Sequence, residues 1–70
     1  MTVATATDVK DRLDLLRLER ALALDCELAD DAAYMADLED EIATCSAAWV
    51  GAAVTEIASM RAALSGPQLG

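Results

Sequence analysis

The sequence predicts an all-α protein, and two observations lead to this prediction. Alanine and leucine are the commonest residues, Phe is absent, and aromatic residues make up 3% of the chain. Alanine and leucine head the scale of helix propensity, whereas strands favour β-branched and aromatic side chains. Apolar residues also recur at steps of three and four, which is the spacing of one helix face. We therefore expect helices packed through a core of small and aliphatic side chains.

The first helix is expected at residues 8–28, after a flexible N-terminal arm at residues 1–7. Thr7 or Asp8 is the predicted N-cap, because a side-chain oxygen there can accept from the free amides of the first turn. No Gly or Pro interrupts the segment from Val9 to Leu28. A helix at residues 8–28 follows from this pattern.

The apolar residues of this first helix form two stripes on roughly opposite sides. A helix with two apolar stripes usually contacts two neighbours. We expect the first stripe to face the chain's own second helix and the second stripe to face another subunit. The first stripe contains Leu15, Leu18, Leu22, Cys26 and Ala29, and the second contains Val9, Leu13, Leu16, Leu24 and Leu28.

A turn at residues 29–31 and a second helix at residues 32–64 are predicted next. Adjacent Asp30 and Asp31 are poor residues for a helix interior and good ones for an N-cap. The second helix should stop at Ser65-Gly66-Pro67, because glycine tolerates the left-handed conformation and proline cannot continue a helix. Residues 66–70 are expected to form a C-terminal tail.

The unequal lengths of the two helices predict self-association. An antiparallel pairing that sets Leu18 opposite Ile42 brings Val9 near Val50, where the first helix is exhausted. The second helix then continues for about 14 residues, or roughly 20 Å. Each large apolar side chain left exposed there forgoes about 1.5 to 3 kcal/mol. We expect an antiparallel helical hairpin that assembles as a dimeric four-helix bundle; the alternative is one long continuous helix in a coiled coil.

Two sets of residues are predicted to organise this assembly. At least one arginine should pair with a carboxylate of the neighbouring helix or subunit, and such a pair would fix register more than it would add stability. The predicted register salt bridges involve Arg17, Arg20, Glu39 and Glu56. The predicted interface contains Trp49, Ala53, Ile57, Met60, Leu64, Leu13 and Leu16.

The composition also limits the classes of function. His is absent, which removes the usual general base and the commonest transition-metal ligand, and no phosphate loop or nucleophile motif is present. We therefore expect no enzyme, cofactor or metal site. The acidic run at residues 37–41 lacks the spacing of a calcium loop and is interpreted as a solvated face. Cys26 and Cys45 are interpreted as small buried apolar residues.

Charge and hydropathy narrow the expected partners. The net charge of -8 argues against nucleic acid and anionic membranes. The uncharged run at residues 42–55 is shorter than the roughly 20 residues of a membrane span, and no signal peptide is recognisable, so a cytoplasmic protein is expected. The predicted function is self-association and protein–protein interaction. The alternative is an acidic inhibitor or modulator, of the phage or antitoxin type, that covers a basic surface of a partner protein.

Overall fold

The computed structural model describes residues 4–66, and helices are the only regular secondary structure in that range. Helix α1 spans Ala6–Leu24, a short 3₁₀ helix spans Glu27–Asp30, and helix α2 spans Ala32–Ser65. The prediction of an all-α fold with two helices is confirmed. The alternative of one continuous helix is wrong, because the chain leaves the α-helical conformation between α1 and α2. Of the predicted arm at residues 1–7, residues 1–3 lie outside the described residues and residues 6 and 7 belong to α1. Of the predicted tail at residues 66–70, residues 67–70, including Pro67, lie outside the described residues.

Helix α1 begins two residues earlier than predicted, because Thr5 is its N-cap. The Thr5 hydroxyl accepts from the Asp8 amide at 3.1 Å, and the Asp8 carboxylate accepts from the Thr5 amide at 3.2 Å. This reciprocal capping box satisfies two amides at once. The predicted cap at Thr7 or Asp8 is therefore wrong: a cap at Thr7 would place Lys10, which has no acceptor, at the reciprocal position.

Helix α1 also ends earlier than predicted, at Leu24 and not at residue 28. The amides of Asp25 and Cys26 donate to carbonyls three residues back, each at 3.2 Å, which tightens the last turn. Four of the residues from 25 to 31 are acidic. Negative charge is unfavourable at the C-terminal end of a helix dipole. The turn consequently occupies residues 25–31, and Cys26 is exposed in it, contrary to the expected burial.

The two ends of helix α2 are set by short-range interactions. The Asp31 carboxylate caps the helix by accepting from the Tyr34 amide at 3.0 Å. At the other end Gly66 has a φ of 53°, and its amide donates to the Ala62 carbonyl at 2.9 Å. Glycine adopts a positive φ without steric cost, so it ends α2 directly after Ser65.

The core lies between the N-terminal part of α2 and one side of α1. Its buried residues are Leu13 and Leu16 from α1 with Leu38 and Cys45 from α2, and the partly buried residues packed against them are Val9, Tyr34, Ile42 and Trp49. Leu13 and Leu16 were expected at a subunit interface, and this prediction is wrong because α2 covers them. The first predicted stripe instead faces solvent: Leu15, Leu18 and Leu22 are each more than half exposed.

Polar residues at the edges of the contact between α1 and α2 have partners across it. Arg20 pairs with Glu39, and the Tyr34 hydroxyl donates to the Glu19 carboxylate at 2.5 Å. Arg12 lies 3.7 Å from Glu41. These side chains flank the core and find partners on α2. Arg20 lies beside the apolar stripe of Leu13 and Leu16, and its charge reaches Glu39 at the edge of the contact.

The register of the two helices also differs from the prediction. The Cys45 thiol donates to the Val9 carbonyl at 3.5 Å, so Val9 lies against Cys45 and not against Val50. The amide of Ala6 donates to the Glu56 carboxylate at 3.1 Å. The start of α1 thus extends along α2 as far as Glu56. The part of α2 beyond this contact, residues 57–65, is about 13 Å long rather than the predicted 20 Å.

Candidate interaction surface

A row of large apolar side chains runs along the C-terminal half of α2 without cover from α1. We call this row the α2 stripe, and each member is between 54% and 82% exposed. Steps of three and four residues place them on one side of the helix. Contiguous exposed apolar surface of this kind marks an interaction site more often than scattered single residues do. The α2 stripe consists of Val50, Val54, Ile57, Met60 and Leu64.

The predicted interface residues are divided by the structure into two groups. Ile57, Met60 and Leu64 belong to the α2 stripe. Trp49 and Ala53 are partly buried, and Trp49 packs against the core. The ammonium of Lys10 lies 5.7 Å from the centre of the Trp49 ring, within range of a cation–π contact. Trp49 thus lies on the side of α2 that α1 covers.

Two members of the α2 stripe were missing from the predicted interface. Val50 and Val54 are 54% and 59% exposed and lie in line with Ile57. The predicted interface contains Trp49 and Ala53, which continue the covered side of the helix instead. The signal that identifies them is their own spacing, since Val50, Val54 and Ile57 repeat at steps of four and three.

The four residues of the predicted register salt bridges have different surroundings. Arg20 and Glu39 form an ion pair between α1 and α2 within the chain. The carboxylate of Glu56 accepts a backbone amide at the start of α1 and contacts no arginine among the described residues. Arg17 is exposed and takes part in none of the ion pairs of residues 4–66. Of these four residues, three therefore contact the other helix of the pair: Arg20 and Glu39 through their ion pair, and Glu56 through the start of α1.

A hydrogen bond at the end of the helix pair near the turn changes the acidity of Tyr34. The bond from its hydroxyl to the Glu19 carboxylate raises the pKa of Tyr34 above its ordinary value of 10.0. Partial burial and the negative charge of Glu19 raise the pKa of this phenol further. The neutral phenol is the donor in this bond, so the contact holds only while Tyr34 is protonated.

An acidic groove lies on the side of the molecule where α1 and the first half of α2 meet. It has a volume of about 600 Å³, and Val9, Cys45 and Ala48 contribute apolar lining. Its charged lining residues are Asp8, Arg12, Asp37, Asp40 and Glu41. Within residues 4–66 no group of three or more acidic or cysteine side chains is arranged to hold a metal ion. The groove therefore presents negative charge over an apolar floor.

Helix α2 also satisfies, by length and composition alone, the criteria for a helix that crosses a membrane. Core helices of soluble proteins meet the same criteria, but they are mostly buried. In α2, by contrast, 6% of an apolar stretch of 18 residues is buried. The apolar surface of α2 is therefore largely uncovered by the rest of the chain.

No protein-family model, curated protein or solved structure matches this chain.

Proposed function

We propose that this chain is a non-enzymatic, acidic helical protein that acts through self-association and protein–protein interaction. In this proposal α1 and α2 form an antiparallel hairpin, and two hairpins assemble as a dimeric four-helix bundle. The observation that carries the proposal is the exposed α2 stripe, which extends past the end of the contact with α1. The dimer is the smallest closed assembly that covers this surface.

The small size of the internal core supports this proposal. The buried apolar residues of the described chain are Ala6, Leu13, Leu16, Ala23, Leu38 and Cys45. A chain of this length with so small a core is marginally stable alone and gains from oligomerisation. Burying the exposed half of each stripe residue contributes about 1 kcal/mol, or on the order of 10 kcal/mol for a dimer. That sum is comparable with the roughly 4 to 15 kcal/mol that association costs.

The distribution of polarity around α2 favours a protein partner over lipid. The large apolar residues lie on one side, whereas Gly51, Thr55 and Ala62 are exposed elsewhere on the helix. Glu56 and Arg61 are charged residues within the same half of α2. A helix surrounded by lipid is apolar on all sides, whereas a helix that packs on protein has one apolar side. Two free cysteines, one of them exposed, fit a reducing compartment such as the cytoplasm.

The mass of the full chain in solution tests this proposal. We expect sedimentation equilibrium at micromolar to hundred-micromolar concentration to give a dimer. Ile57→Asp should shift the equilibrium to monomer while keeping the helical circular dichroism signal, because a charge in the stripe cannot be buried without a partner. Ala62→Asp is the matched control: it adds the same charge to an exposed position on the other side of α2. A wild-type monomer over the whole range would refute the proposal.

The acidic groove favours a second candidate function, that of a modulator that covers a basic surface on another protein. Charged clefts attract partners of opposite sign, and the attraction weakens with salt. A lysine-rich peptide is a suitable probe of this function. The expected result is binding that weakens between low and physiological salt and is reduced by Asp37→Asn combined with Asp40→Asn. Binding that these changes leave intact would exclude the groove as the binding site.

A further inference from the structure

The α2 stripe is symmetrical in sequence about its central residue. Val54 and Met60 lie three residues to either side of Ile57, and Val50 and Leu64 lie seven residues to either side. On an α-helix, residues three and seven positions before or after a given residue lie on the same side of the helix as that residue. A twofold axis through the centre of such a row brings the central residue opposite its own symmetry mate and brings every other member to the level of the member equally far on the other side of the centre. The stripe is therefore complementary to a second copy of itself in the antiparallel direction.

We propose that two copies of this chain pair through their α2 stripes, antiparallel, about a twofold axis at Ile57. The pairing rests on the self-association proposed above and specifies its geometry. Ile57 then contacts its own symmetry mate, Val54 contacts Met60 of the other copy, and Val50 contacts Leu64 of the other copy. The seam covers residues 50–64 on each chain, which is about 21 Å of helix.

The charges in this half of α2 agree with the antiparallel direction. Glu56 and Arg61 are the charged residues between positions 42 and 64, and their charges cancel. In the antiparallel pair each Arg61 lies about 12 Å along the axis from the level of the other copy's Arg61. A parallel pair would instead place the two arginines at one level and the two glutamates at another, which is unfavourable.

The charges elsewhere in the chain favour this surface over the other exposed apolar row. Since the segment at residues 42–64 is neutral, the net charge of -8 resides in the rest of the chain. Asp11 lies on the same side of α1 as Leu15, Leu18 and Leu22, and Asp25 follows at the C-terminal end of the helix, so a second copy would meet like charge there. Antiparallel pairing at Ile57 directs these acidic regions toward the two far ends of the dimer, where they are farthest apart.

Helix α1 leaves room for this pairing. The carboxylate of Glu56 points toward α1, because it accepts the amide of Ala6 at 3.1 Å. Successive residues on an α-helix are about 100° apart, so Ile57 points about a quarter turn away from α1. The second copy of α2 can approach on this adjacent side. The dimer formed in this way contains four helices: the two α2 helices make the seam, and each α1 packs beside them on its own side of the twofold axis.

Disulfide trapping of the full chain tests the pairing. Single cysteines are introduced at the seam in a Cys26→Ser background, which removes the exposed native thiol and keeps the buried Cys45. Ile57→Cys should cross-link to itself under mild oxidation. Separately purified Val50→Cys and Leu64→Cys should cross-link to each other at least tenfold more than either does to itself. Val54→Cys mixed with Met60→Cys provides a second pair should one of these variants fold poorly, and Leu18→Cys on α1 is the control.

Each outcome has a defined meaning for the two proposals. Preferred cross-linking of position 50 to position 64 supports the antiparallel pairing. A dimeric mass with Val50→Cys cross-linking mainly to itself overturns the antiparallel direction but leaves self-association intact. A dimeric mass with cross-linking at Leu18→Cys and none at Ile57→Cys overturns the choice of surface. A monomer in buffer that binds phosphatidylcholine vesicles overturns both proposals and assigns the stripe to lipid.

Discussion

The two halves of α2 have similar apolar spacing but different surroundings. In the first half Leu38 and Cys45 are buried against α1, and Glu39 and Glu41 have basic partners there. In the second half Ile57 and Leu64 are exposed, and the contact with α1 ends at Glu56. The helices have 19 and 34 residues, so α1 is too short to cover all of α2. The length difference therefore separates a core half from an interaction half within one helix.

The largest expected effect comes from shortening a core side chain of α1 that packs on the covered half of α2. Leu13→Ala removes the one large side chain that is fully buried among residues 4–66 and should lower the free energy of unfolding by about 2 to 5 kcal/mol. Leu18→Ala is the matched control on the same helix, and its side chain is 56% exposed, so the loss should be well under half as large. Urea unfolding followed by circular dichroism measures both variants. Equal losses would mean that Leu18 is also covered.

A smaller effect is expected at the start of α1, where the covered region of α2 ends. Thr5→Ala removes the hydroxyl of the capping box and should lower the free energy of unfolding by about 1 kcal/mol. Thr7→Ala is the control: it makes the same change inside the first turn, where alanine has the higher helix propensity. Thermal unfolding of the two variants measures the loss of stability at each position. A loss at Thr7 as large as the loss at Thr5 would contradict the assigned cap.

The ion pair between Arg20 and Glu39 should contribute less. About half of each side chain is exposed, so solvent screens the pair. A double-mutant cycle with Arg20→Ala and Glu39→Ala should give a coupling of about 0.2 to 1 kcal/mol that decreases at 1 M salt. The oligomeric mass should not change, because the pair lies within one chain. A coupling insensitive to salt, or a change in mass, would argue that the pair is buried at a subunit interface.

The smallest effect concerns the end of the helix pair near the turn. Because the pKa of Tyr34 is raised in the folded chain, its contribution to stability is complete below the unfolded value of about 10. The contribution is lost as the pH rises through the folded pKa. Ultraviolet titration of the phenol should show a pKa above 10 that falls toward 10 in Glu19→Ala. An unchanged titration in that variant would mean that Glu19 is not the cause.

The sequence predicted well those features that depend on neighbouring residues. The choice between helix and strand follows from alanine and leucine content and from a three-to-four spacing, which are local properties. The end of α2 at Gly66 follows from the conformational freedom of that residue. The cap at Thr5 is also visible in the sequence as a Thr-x-x-Asp pattern ending at Asp8. Thr and Ala alternate in this segment, however, so the sequence did not show which threonine is the N-cap.

The tertiary structure decided which side of each helix is covered. The α1 row with Leu15, Leu18 and Leu22 reads as the cleaner apolar stripe, yet the side with Leu13 and Leu16 packs on α2. Which side is buried depends on both helices. Arg20 lies within the apolar row of Leu13 and Leu16 in the sequence, but in the structure it pairs with Glu39 of α2. By itself the sequence determined the helical class and an apolar row that continues to Leu64, because these follow from composition and spacing; it favoured two unequal helices, and the break between α1 and α2 in the structure excluded one continuous helix. The register and the orientation of α1 required both helices in place, because they depend on which polar side chains find partners.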